Sequence, residues 1–188
     1  MKNIKNTYLT GYLPFVSILL FSLSLSIFIQ SVAINLLKKV GLYAGVLELF
    51  TETELKLAVI LAMTVLFFMV FSALKVLADT VNELSLLFFS KDSEGELLKK
   101  VRTGSLIFLG GGLLSLLSFS SLIGIIAIFL LTTIGYLIYF AYKLSPSLTT
   151  ANLIGLVVFQ VVVWLAIGTT ILLVGMKIYN SLMTSLPL

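Results

Sequence analysis

A chain of 188 residues that is 60% hydrophobic and 11% charged, with a mean hydropathy of +1.18, carries more apolar surface than a soluble core of this size can enclose. A lipid bilayer is the partner that accommodates the excess. The formal charge of +4 comes from basic residues that flank apolar runs instead of forming a long patch, so nucleic acid is not an expected partner.

The sequence contains neither cysteine nor histidine, which excludes disulfides, thiolate chemistry, imidazole general bases and the usual zinc, haem and iron–sulfur ligand sets. No cofactor and no metal is expected. The composition predicts an all-α fold, a polytopic transmembrane helical bundle of about five spans in one membrane domain over residues 1–188.

Residues 13–37 form the first run, closed by Lys38 and Lys39, whose ammonium groups belong at the headgroup level. Lys2, Lys5 and the small residues Ser31, Val32 and Ala33 give it some features of a secretory leader. Its length of about 25 residues exceeds a signal core, and an uncleaved first helix is expected. Ser17, Ser24, Ser31 and Lys38 recur every seven residues on one face, with Asn35 beside them, and Ser22, Ser26 and Gln30 lie roughly opposite. Both faces should meet protein. Close helix packing explains them, and a hydroxyl-lined path for a polar solute is the alternative.

Gly41 and Gly45 have the spacing of a small-residue helix contact, in a segment too short for the signal to be strong. Thr51 and Glu54 have capping-box spacing, which predicts a second helix starting near Glu52. The span is read as 55–78, with an amphipathic extension to 89 in which Leu77, Val81, Leu84 and Phe88 recur at helical spacing. At 1.5 Å per residue this helix is about 50 Å long against a hydrocarbon core of roughly 30 Å, so it must project, bend or lie along the interface.

On the extension, Lys75, Asp79, Asn82 and Glu83 form the main candidate polar cluster. Charge on an otherwise apolar helix needs water, a partner or a function. An interfacial face turned to cytoplasmic water is one reading, and a carboxylate relay turned to the bundle interior is the other. Glu48 is a weaker candidate of the same kind.

Lys91, Asp92, Ser93 and Glu94 make the one densely hydrophilic stretch, and Ser93 with Glu96 repeats the capping-box spacing. After Lys99, Lys100 and Arg102, residues 103–142 carry no charge, about twice what one crossing needs. A hairpin turning at residues 118–121 divides them into spans 104–118 and 122–142. Gly110, Gly111 and Gly112 are the competing break. They lack the preceding strand and the lysine of a phosphate-binding loop, and close helix packing accounts for them. Lys143 and Pro146 end the fourth span, and the fifth covers 152–176, with Trp164 near its middle as a packing residue and Gln160 as a partner for Gln30 or Asn35.

Eight basic residues (Lys2, Lys5, Lys75, Lys91, Lys99, Lys100, Arg102, Lys143) on the N-terminal side against four opposite (Lys38, Lys39, Lys56, Lys177) predict a cytoplasmic N-terminus. A four-span count exchanges Lys143 for Lys177 and scores the same.

Three segments carry a resemblance. They are Asn6-Thr7-Tyr8-Leu9-Thr10-Gly11-Tyr12, the stretch from Ala78-Asp79-Thr80-Val81-Asn82-Glu83 through Lys91-Asp92, and Tyr179-Asn180-Ser181-Leu182-Met183. The sequence resembles the uncharacterised YufK-like membrane protein family of Bacillus-type bacteria, over most of its length. The resemblance implies a multi-pass protein of the bacterial plasma membrane and transfers no catalytic residue.

The expected function is therefore that of a non-enzymatic membrane protein, packing in a homo-oligomer or against a membrane-protein partner. A small transporter or channel for an ion or small polar solute is the alternative, motivated by the hydroxyl stripes and the Lys75 to Glu83 cluster.

Overall fold

The structure is a computed structural model that describes residues 7–92 and 95–185. All regular structure among the described residues is helical: α1 (Thr7–Lys39), α2 (Tyr43–Leu47), α3 (Glu52–Phe89), α4 (Glu96–Val101), α5 (Ser105–Leu117), α6 (Leu122–Leu144) and α7 (Thr150–Ser185). Short 3-10 turns at Arg102–Gly104 and Ser145–Ser147 lead into α5 and out of α6. Five helical stretches are long and apolar enough to cross a membrane, with α4 and α5 forming one of them (Glu96–Leu117). Helices are what a lipid-embedded chain must form, because each satisfies its own backbone donors and acceptors.

The ends of the helices follow from local chemistry. α1 stops at a Schellman motif, in which Leu42 N–H donates to the Leu37 carbonyl (3.1 Å) and Gly41 N–H to the Lys38 carbonyl (3.2 Å). Gly41 sits at φ +76°, a left-handed conformation that disfavours a side chain. This turn is the purpose of Gly41, and no helix partner faces it or Gly45 among the described residues.

α3 opens on the expected capping box: Glu54 N–H donates to Thr51 Oγ1 (3.3 Å), and Thr51 N–H donates to Glu54 Oε2 (2.8 Å). The helix then continues unbroken for 38 residues, through the polar stretch around Asp79. α4 is capped by Asp92, whose carboxylate accepts from the amides of Glu96 (3.2 Å) and Leu97 (2.8 Å). Ser93, read as its capping residue, lies outside the described residues.

The α5–α6 turn falls at residues 118–121, and Ser121 caps α6 by accepting from Gly124 N–H (3.2 Å). Gly110, Gly111 and Gly112 remain inside α5 and pack instead of breaking it. A Cβ on Gly112 would lie 3.0 Å from Leu20 Cβ and 3.3 Å from the Ser17 carbonyl, and one on Gly111 would meet the Thr132 side chain. These two glycines let α5 lie directly against α1 on one side and α6 on the other.

α1 packs along α3 and α5, α5 pairs with α6, and α7 packs chiefly on α3. Phe21, Phe71 and Phe129 join α1, α3 and α6 through ring centroids 5.4 to 6.0 Å apart. A second apolar core lies at the end of the molecule where α3, α6 and α4 finish and α7 begins: Leu86, Leu97, Val101, Phe140, Leu144 and Leu156. It fixes that end of the bundle and carries the polar site above it.

Candidate functional site

Asn82 and Ser85 lie one turn apart on α3, on the face that also buries Val81 and Leu86. Because α3 does not stop at its apolar run, it delivers these two polar side chains into the contact with α6 and α7. Gln160 of α7 donates from Nε2 to Asn82 Oδ1 (2.7 Å) and to Ser85 Oγ (3.2 Å). Asn82 Nδ2 donates in turn to the Tyr136 hydroxyl of α6 (3.1 Å), and Ser85 Oγ to the Asn82 carbonyl (2.8 Å). Asn82, Ser85 and Gln160 are all buried.

Tyr136 is held from two sides. Its ring lies 5.4 Å from Phe108 and 6.1 Å from Phe140, and a Cβ on Gly104 would be 2.7 Å from its edge. The absence of a side chain at Gly104 is what allows the start of α5 to pass over the tyrosine. Three helices are thus joined by amide and hydroxyl groups that are uncharged at neutral pH. Such a network can set the register of helices in an apolar medium, and it offers no group poised for acid–base chemistry.

The four residues read as one polar cluster separate in three dimensions. Asn82 is buried in the bundle, whereas Asp79 and Glu83 are exposed and Lys75, one heptad before Asn82 on the same face, is half-buried. Lys75 and Asp79 form an ion pair across one helical turn, with the aspartate side chain about half exposed. Glu48 is exposed at the end of α2.

Gln160 does not meet Gln30 or Asn35, the partners expected from sequence. α7 runs along the C-terminal half of α3, so its glutamine reaches Asn82 and Ser85 instead. Asn35 is exposed and Gln30 half-buried on α1. Sequence reasoning also passed over Ser85 and Tyr136. The available signals were a serine three residues after Asn82 and a tyrosine deep in an uncharged run, where its hydroxyl needs a partner.

On α1 the two hydroxyl faces do meet protein: Ser17, Ser22, Ser24 and Ser26 are buried. Each donates to the carbonyl four residues back, at 2.6 to 2.9 Å, and Ser24 also shares a 2.8 Å bond with Ser115 of α5. Ser31 is exposed. Trp164 is half-buried within α7.

The profile of a family described as a family of unknown function (DUF5366) matches residues 30–187. The chain is also 45% identical over 183 residues to the "Uncharacterized membrane protein YufK" of Bacillus subtilis (strain 168), an alignment covering 97% of this chain and 99% of that protein. No solved structure matches.

Proposed function

Because the chain belongs to the family of unknown function DUF5366 and is a multi-helix membrane protein, we propose that it is a non-enzymatic packing protein that associates with a second copy of itself in the plasma membrane. The observation that carries this reading is the distal part of α7. Every residue from 171 to 181 is exposed, and a Cβ on Gly168 or Gly175 would meet nothing within 4 Å among the described residues. Glycines in a lipid-facing helix lower its helix propensity and gain no packing in return, whereas against another helix they allow close backbone approach. Gly168 and Gly175 are seven residues apart, on one face of the helix.

What weighs against solute passage is that the buried hydroxyls of α1 already serve backbone carbonyls and Ser115, which leaves them poorly placed to line a wet path. The orientation we propose has the N-terminus in the cytoplasm, from the eight-to-four distribution of basic residues.

The chain has no native cysteine, so a single cysteine at Leu172 gives a direct test. Oxidation in native membranes should yield a disulfide-linked dimer, and adding Gly175→Leu should abolish it by separating the helices. Absence of cross-linking at Leu172 and at its neighbours Gly168 and Met176, together with a monomeric mass in mild detergent, would overturn the reading.

A further inference from the structure

We infer that the α4 end of the bundle binds the phosphate of an anionic phospholipid, with Lys91, Lys99, Lys100 and Arg102 as the recognising charges. This goes beyond the proposed self-association and rests on other residues, at the opposite end of α7 from Gly168 and Gly175.

α4 is a one-sided helix. Leu97 and Val101 are buried in the core beneath it, and Lys99, Lys100 and Arg102 are exposed. Its apolar side is clipped to α6, and the buried Leu86 of α3 and Leu156 of α7 belong to the same core, so the cations are presented by a fixed surface and not by a loose tail. Lys91 and Lys100 line one depression of about 290 Å³ with Leu97 and Ser147, whose hydroxyl is a further donor type. Lys143 adds a fifth positive charge nearby, its ammonium 5.8 Å from the Tyr139 ring, and a Cβ on Gly104 would lie 3.0 Å from that same ring.

Two carboxylates share the depression, Asp92 and Glu96. Asp92 is engaged with the α4 amides, which offsets part of its repulsion of a phosphate. The ion pairs found among the described residues are Lys56–Glu52 and Lys75–Asp79, and neither involves these cations. The surplus at this end is positive: Lys91, Lys99, Lys100, Arg102 and Lys143 against Asp92, Glu96 and Glu94, the last outside the described residues.

The neighbouring chain identifies the source of the phosphate. Immediately after Arg102 come 40 uncharged residues in two helices that need a hydrocarbon core, so the cations stand where the hydrocarbon ends and headgroups begin. A cluster of this size beside a membrane-crossing segment attracts anionic headgroups over zwitterionic ones. A lipid already confined to that plane is the phosphate the site would meet.

The test uses the full-length chain in non-ionic detergent, supplied with equal amounts of phosphatidylglycerol and phosphatidylethanolamine, with bound lipid counted by native mass spectrometry. Phosphatidylglycerol should be retained in preference. The variant K91Q/K99Q/K100Q/R102Q should lower that preference at least about fivefold, roughly the factor that one surface charge contributes. K38Q/K39Q, at the other end of α1, should leave it unchanged. If the fourfold variant is not recovered folded, the parent protein is measured from about 0.01 to 1 M salt, over which the Debye length falls from about 30 to 3 Å. The preference should then collapse.

Equal retention of the two lipids, a preference indifferent to salt, or an equal loss in K38Q/K39Q would each overturn the inference. Displacement of the lipid by millimolar glycerol 3-phosphate would overturn it in favour of a soluble phosphate ligand.

Discussion

Gln160 and Ser24 show how differently two buried polar residues can matter. Removing the Gln160 amide leaves Asn82 Oδ1 and Ser85 Oγ without their donor between three helices. Gln160→Ala should therefore destabilise the protein by about 1–3 kcal/mol, the range for leaving buried groups unsatisfied. Ser24→Ala removes a bond to Ser115, which keeps its bond to the Gly112 carbonyl (2.7 Å). Its loss should stay near 0.6 kcal/mol, the average for interhelical hydrogen bonds in a membrane. Thermal unfolding of both variants in the same detergent checks the order, and an equal loss would deny the network its role. The adjacent glycines of α5 supply a second contrast. Gly112→Ala drives a methyl toward Leu20 and the Ser17 carbonyl and should be destabilising, whereas Gly110→Ala enters open space and should be neutral or gain up to about 1 kcal/mol of helix propensity. Unfolding midpoints that move together for the pair would show that α1 and α5 are not in close contact.

Among the elements, the connection between α1 and α3 is the most exposed to single changes. Gly41 holds φ +76° in the Schellman turn, so Gly41→Ala should cost about 1–2 kcal/mol, the penalty for a side chain in the left-handed region. Gly45, inside α2 with open space around it, should accept alanine at no cost. The capping box at the start of α3 was legible because its chemistry is local: a hydroxyl and a carboxylate three residues apart can only reach each other's amides. Thr51→Ala should cost about 1 kcal/mol and raise amide hydrogen exchange in the first turn of α3, leaving the turns around Asn82 unchanged. The start of α4 was less legible, since its cap comes from Asp92, four and five residues before the amides it satisfies, a spacing outside the usual box.

At the level of the whole molecule, α5 and α1 are in unequal register. α5 ends two residues after Ser115, but α1 runs on for fifteen after Ser24, the partner of Ser115. The last residue of α5 thus falls about 20 Å short of the Lys39 end of α1, measured along the helices at 1.5 Å per residue. An irregular, lipid-exposed turn does not persist in hydrocarbon, so the turn belongs at a membrane surface and the far ends of α1 and α3 extend beyond it. Single cysteines at Ser120 and Asn180 should react with an impermeant thiol reagent from one side, the outside under the proposed orientation, and one at Ser147 should react from the other. Labelling of Ser147 and Ser120 from the same side would break the five-crossing path.

The five stretches long and apolar enough to cross a membrane and the chain reversal at residues 118–121 could be read from the sequence, because hydrocarbon thickness, charge-free length and turn chemistry all act along the chain. The hydroxyl faces of α1 were legible as buried for the same reason, since helical spacing alone places Ser17 with Ser24 and Ser22 with Ser26. Which polar groups meet was decided only by the tertiary structure. Lys75, Asp79, Asn82 and Glu83 are close in sequence and lie on overlapping faces, yet the packing of α7 on α3 and the reach of Tyr136 from α6 bury Asn82 alone, leaving Lys75 half-buried and Asp79 and Glu83 exposed. Gln160 met Asn82 and not Gln30 because the choice of neighbour depends on side-chain volume and close backbone approach at Gly104, Gly111, Gly112 and Gly155, and those are properties of facing surfaces that no single helix specifies.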